Sequence, residues 1–203
     1  MGLLRNYDNF MALQSLVATE SEVVGDATSF DDKHLCMKDT SGNLRTLWRR
    51  AEKNANPLGI FGIDTGSFSS CDTQMSTLIA GSGNSEVTYD DYKLESIFTN
   101  SQVQKVSHIC GDTIYNETDK TWERTYTLVC LAKEDLTIKE IGVLHRNYRA
   151  NASSGYYYAL VYRKVLDTPV EAPANSSFIL SFTTKVSANP NKPTDYDANA
   201  IVG

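Results

Sequence analysis

The sequence predicts a mainly β fold: an antiparallel β-sandwich, jelly-roll-like, with a short N-terminal helix and an extended C-terminal tail. Three observations carry this expectation. Phe178, Leu180, Phe182, Thr184 and Val186 alternate with Ile179, Ser181, Thr183 and Lys185 at strict period two, the spacing at which successive side chains point to opposite faces of a strand. Short apolar runs recur between clusters of Ser, Gly, Asp and Asn, the punctuation of turn-linked strands. No series of helical patterns alternates with these runs, which argues against a βαβ fold.

Taken in order, residues 1–30 form an N-terminal helix and arm. Asp8 is placed to cap a helix that sets Phe10, Leu13, Leu16 and Val17 at helical spacing. The β-sandwich domain is expected over 31–187. Its first half holds apolar runs at 34–37, 44–48 and 58–63, then a Ser, Thr and Gly-rich stretch over 64–85 expected to form long surface loops around the run 78–80. Further on, Tyr126, Leu128 and Cys130 share one strand face and Thr125, Thr127, Val129 and Leu131 the other. In 136–144, Ile138 and Ile141 fall three apart, so a β-bulge beside Gly142 is needed to keep both on one side. Residues 156–166 read as a long strand, with Asp167-Thr168-Pro169 as a turn or strand break because Pro cannot donate to a central ladder. Phe178, Phe182, Leu180, Val161 and Leu128 are the expected core. The tail, 188–203, has too little apolar surface to offset its ordering entropy and is expected to order only against a neighbour.

The 203 residues suit one large domain or two small ones. Nineteen Lys and Arg against 25 Asp and Glu give a net charge of −6, which argues against a broad phosphate-binding surface. No apolar run approaches the roughly 20 residues of a membrane span. The first apolar stretch is broken by Arg5, Asn6 and Asp8, unlike a secretory signal, so synthesis in the cytoplasm is expected. Cys36, Cys71, Cys110 and Cys130 are few and widely spaced, and are expected to be reduced. The triplets starting at Asn116, Asn151 and Asn175 are read as polar turns.

Several patterns could carry chemistry, and each has a plainer reading. Asp64-Thr65-Gly66-Ser67 after an apolar run resembles the catalytic loop of aspartic proteases, in which two carboxylates share a proton; it also fits an ordinary Asp/Gly turn. His34 with Cys36, and His108 with Cys110, could offer four zinc ligands from two adjacent strands, or could simply be packed. His145 is available for a Ser-His-Asp assembly, although no G-x-S-x-G elbow places a nucleophile. Gly81-Ser82-Gly83 lacks the remainder of a phosphate loop and reads as a flexible loop. Arg45, Arg49, Arg50 and Lys53 near Trp48 could touch nucleic acid, but a solvated face or an acidic partner suits the net charge better. Among Tyr148, Tyr156, Tyr157, Tyr158 and Tyr162, the three consecutive tyrosines cannot all enter one core, so at least one belongs to a surface or interface.

Val87-Thr88-Tyr89-Asp90-Asp91-Tyr92-Lys93-Leu94, Ile138-Lys139-Glu140-Ile141-Gly142-Val143-Leu144 and Ala159-Leu160-Val161-Tyr162-Arg163-Lys164-Val165-Leu166, with the closing stretch 169–186, resemble small accessory virion structural proteins of tailed bacteriophages. These proteins belong to neck, tail or capsid surface. The resemblance covers roughly residues 81–187; residues 1–80 contribute nothing to it. It implies a β-sandwich built into a symmetric oligomer, with no catalytic residue, cofactor or metal. Implied partners are other copies of the chain and neighbouring virion proteins, met through the N-terminal segment, the 64–85 loops and the tail. A host surface receptor is a further candidate partner; nucleic acid and membrane are not expected. Two other classes stay open: a receptor- or glycan-binding fibre-tip module, and an aspartic-type or metal-dependent hydrolase using Asp64.

Overall fold

The computed structural model describes residues 2–15, 22–24, 26–49, 76–148, 156–189, 191 and 193–203. Among these, one helix, α1 (Arg5–Ser15), is followed by eleven strands: β1 (Glu22–Val24), β2 (Cys36–Lys38), β3 (Leu44–Arg49), β4 (Ser76–Gly81), β5 (Val103–Cys110), β6 (Ile114–Asn116), β7 (Thr121–Ala132), β8 (Leu136–Tyr148), β9 (Tyr156–Ala172), β10 (Ser177–Val186) and β11 (Asp195–Val202). A large sheet in the order β11-β10-β7-β5, with β6 also on β7, packs against a small sheet β4-β8-β9; a third sheet, β1-β3-β2, lies beside β9, where Met37 joins the core and Thr40 N donates to Tyr158 O. All the pairings are antiparallel. The fold is a β-sandwich, as the alternation in β10 predicts.

The main core lies between the two larger sheets. Phe178, Leu180, Phe182, Leu128 and Val161 are all at most 1% exposed. β7 buries Tyr126, Leu128, Cys130 and Ala132 while Thr125, Thr127, Val129 and Leu131 are only partly covered. β8 shifts register against β9 between Ile138 and Glu140 and again between Val143 and Leu144, which lets Ile138 and Ile141 both face inward, fully buried.

The outer side of the small sheet has a core of its own. Leu4, Ile79, Leu94 and Leu160 pack there, closed over by the loop 82–97. The helix α1 is fastened by buried Asn6, whose Nδ2 donates to Lys38 O and Leu160 O, each at 2.9 Å, while its Oδ1 accepts from Lys38 N.

Four expectations need correcting. The helix begins at Arg5, not at Asp8: Leu4 O accepts from Tyr7 N and Asp8 N, so Leu4 stands at the entry and Asp8 falls in the first turn. The Leu13 side chain, Leu16 and Val17 lie outside the described residues. Pro169 does not end β9; it sits in the bulge where 166–169 face only Lys139, one of the few places a strand admits Pro. The tail does not wait for a neighbour: Asp195–Val202 pairs with β10 from Lys185 to Phe178 and buries Ala198 and Ala200. Cys110 is disulfide-bonded, whereas Cys36 and Cys130 are free and buried. The turn readings hold where they can be seen. Asn175 has φ 63° in the β9–β10 connection, and Asn116 Oδ1 accepts from Thr118 N and Asp119 N.

Candidate functional site

The largest concentration of buried charge lies on the outer face of the small sheet. Arg163 on β9 and Glu140 on β8 are 2% and 0% exposed, with Arg163 Nε 2.8 Å from Glu140 Oε2. Arg163 Nη1 donates to Asp91 Oδ2 at 2.7 Å, and Nη2 to Ser85 Oγ at 3.1 Å. Glu140 also accepts from the amides of Ser96, Gly83 and Glu95, and Glu95 accepts from those of Asn84 and Ser85. Every polar edge of the pair therefore meets the loop 82–97, and the cluster works as a clamp.

That clamp also explains Gly81-Ser82-Gly83, which is a tightly held turn and not a loose loop. A Cβ on Gly81 would stand 2.3 Å from Ser96 O, and one on Gly83 2.5 Å from Glu140 Oε1. Only glycine allows the backbone this close.

Burial alone would raise the Asp91 carboxyl, but hydrogen bonds from Thr88 and Arg163 outweigh it and the net shift is downward. Glu95 is lowered by the Ser85 and Asn84 amides. For carboxylates held below their unfolded values, the stabilisation is present above those values, near 3.8 and 4.5, and disappears as pH falls through the lower folded ones. Loop 82–97 is thus expected to loosen below about pH 3.8. Amide hydrogen exchange at Ser85 and Ser96, followed from pH 6 to pH 2, checks this; protection unchanged at pH 2 would contradict it.

The residues singled out in the sequence are scattered. Cys36 and Cys110 lie on strands of different sheets, so the two His-x-Cys pairs are not on adjacent strands and cannot assemble one four-ligand site. His34 contacts Asp31 at 2.7 Å, and this hydrogen bond leads the causes that pull Asp31 down to about 2. Cys36 Sγ donates to Ser29 O. His108 bonds the Tyr126 hydroxyl, and burial lowers its pKa. No metal-binding cluster occurs among the described residues. His145 Nδ1 lies 3.1 Å from Ser76 Oγ, its cross-strand partner, but both are buried and the Phe10 ring lies 4.4 Å from the imidazole. Such a covered pair has no approach for a substrate carbonyl. Arg45 Nε and Nη2 both reach buried Asp39 Oδ2 at 2.9 Å and fasten the turn at Gly42, whose φ of 87° favours glycine. Asp64, Arg50, Lys53 and the side chains of Trp48, Arg49, Tyr148 and Tyr156 lie outside the described residues. Tyr157 and Tyr162 are core residues, and Tyr158 is 38% exposed, as alternation along a strand requires.

Burial pushes the Cys130 thiol up to about 11, and raises Cys36 as well. Iodoacetamide at about pH 8 is expected to leave both unlabelled in the folded chain. In denaturant without reductant both should label and Cys110 should not; peptide mass spectrometry reads the difference. Labelled Cys110 under those conditions would refute the disulfide.

What the fold leaves available is apolar surface. On the core-side face of the large sheet, beyond the cover of the small one, Tyr115, Trp122 and Val186 are cross-strand neighbours on β6, β7 and β10. They are 37%, 51% and 45% exposed, and the Tyr115 and Trp122 rings lie 5.0 Å apart. Half-exposed Trp and Tyr on a rigid sheet are the residue types that anchor interfaces. Sequence reading looked for the exposed aromatics in the tyrosine run and missed this trio, because it joins three strands. A cleft of about 840 Å³ also opens between β9 and the start of β11, lined by Leu3, Tyr162, Lys164, Val165, Tyr196 and Asp197 among others. Lys164 Nζ and Asp197 Oδ1 pair across it at 2.6 Å. No helix is long and apolar enough to cross a membrane among the described residues. No family model matches the chain, nor does any curated protein or solved structure.

Proposed function

We propose that this chain is a non-enzymatic structural component of a bacteriophage virion, synthesised in the host cytoplasm and assembling as a symmetric oligomer at neck, tail or capsid surface. One observation carries the reading. The three segments that resemble accessory virion proteins meet in one cluster: Asp91 from the first, Glu140 from the second and Arg163 from the third. These three charged residues hold a loop to a sheet, which is the work of a scaffold. The apolar trio at Tyr115, Trp122 and Val186 supplies surface for neighbouring subunits.

Mass spectrometry of purified particles tests this directly. The chain is expected at a fixed copy number per virion; its absence from washed particles would refute the assignment. A second reading, a glycan-binding fibre-tip module, is favoured by the exposed Trp122 and Tyr115 rings, on which a sugar face could stack. Glycan-array binding lost in Trp122→Ala would select it instead.

A further inference from the structure

The two larger sheets of the sandwich end in four edges, and three of them are guarded. Along β9, Thr40 N donates to Tyr158 O, Asn6 Nδ2 to Leu160 O and Leu4 N to Val161 O, and Arg163 N donates to Gly2 O. Beyond these bonds the edge carries Pro169 and its bulge. β4 is closed by Phe98 N donating to Ala80 O and by Lys105 Nζ reaching Thr77. β5 is broken by a register shift between Lys105 and Ser107. These are the usual devices against edge-to-edge pairing.

β11 has them only in its first half. Asp195 and Asp197 stand there. From Ala198 to Val202 the strand holds no charge, no proline and no break in its register with β10. Ile201 and Val202 are 58% and 40% exposed. Backbone groups alternate sides along a strand, and Gly203 N donates inward to Ser177 O at the end of β10, so the amides of Ala200 and Val202 point outward.

From this edge we infer that β11 docks a second copy of the chain, pairing antiparallel with its counterpart about a two-fold axis at Ile201. Antiparallel pairing of identical edges is closed by a two-fold and needs no second sequence. Outward groups must meet outward groups, which leaves few registers. With the axis at Ile201, Ile201 faces the partner's Ile201, and Ala200 faces the partner's Val202. Moving the axis to Ala200 or Asn199 sets Ile201 against Asn199 or Asp197, an apolar side chain against a polar or charged one. Ile201 also lies in one row with Ile179 and Val129 on the outer face, so the pairing joins two apolar rows across the seam. The inference rests on the oligomeric reading above and names its contact.

Sedimentation of the whole chain, together with Ile201→Cys, Ile201→Lys and Val202→Pro, tests the inference. The parent is expected to sediment as a dimer or a larger even assembly. Ile201→Cys should cross-link to a dimer on a non-reducing gel, because facing non-hydrogen-bonded positions meet disulfide geometry; Ile179→Cys, one strand in, should not. Ile201→Lys sets like charges face to face and is expected to weaken the dimer about 100-fold, with unchanged circular dichroism. Val202→Pro removes an outward amide and should also dissociate it, whereas Val106→Lys on β5 should not. An oligomeric parent whose Ile201 variants neither cross-link nor dissociate would overturn the edge and leave the oligomeric reading standing. A parent that sediments as a single copy at every concentration would overturn both.

Discussion

Arg163→Met is expected to lower the unfolding free energy by about 3–5 kcal/mol, because it leaves the buried Glu140 carboxylate without its counter-ion. Glu140 is fully buried, and its remaining partners are the amides of Gly83, Glu95 and Ser96. Those amides hold a loop that would lose Asp91 and Ser85 as anchors at the same time. Against a domain stability of about 5–15 kcal/mol, such a loss brings the folded state near its limit. Denaturant unfolding followed by tryptophan fluorescence measures it. Adding Glu140→Gln separates charge from packing. The amide keeps an acceptor for the loop, so the double variant should recover about 1–3 kcal/mol. A double variant no more stable than Arg163→Met would assign the loss to packing and sink the ionic explanation.

Phe182→Ala should cost a similar amount, about 3–5 kcal/mol, for a different reason. Its ring is 1% exposed and bridges the layers: Tyr162 from the small sheet lies edge-on at 5.1 Å, and Tyr196 from β11 is stacked at 5.8 Å. Removing it empties a space walled by two rings, one of which, Tyr196, is held through its hydroxyl to Tyr7. That wall cannot collapse without breaking this bond. The expected signature is a lowered thermal midpoint with loss of near-ultraviolet circular dichroism. A midpoint within two degrees of the parent would show that the site closes up.

The strands legible in the sequence were those with large side chains on a buried face. β10 alternates Phe, Leu and Phe against polar residues, and the three-residue step from Ile138 to Ile141 called for a bulge that the register shifts supply. β11 escaped because the residues it buries are Ala198 and Ala200, too small to register as a pattern. β5 gives no alternation either, since nearly all its residues are exposed. The clamp was harder still. Arg163 and Glu140 stand in strands where a lone charge reads as a solvent-facing position, and only the folded chain brings them to Asp91. The one local hint was the pair Gly81 and Gly83, whose missing side chains make room for Glu140. The disulfide at Cys110 left no sign in the spacing of four scattered cysteines.

The path of the chain through the sandwich bears on how it is made. β7 lies beside β10, yet β8 and β9 come between them in sequence and belong to the opposite layer. The hairpin β8–β9 can zip as soon as it leaves the ribosome, but β7 has no partner on that side until residues 177–186 emerge. Until then, the side of β7 from Trp122 to Leu131 that pairs with β10 stays open on a growing chain. Release of the nascent polypeptide before β10, or a pause there, would expose an adhesive edge to every neighbour being synthesised nearby.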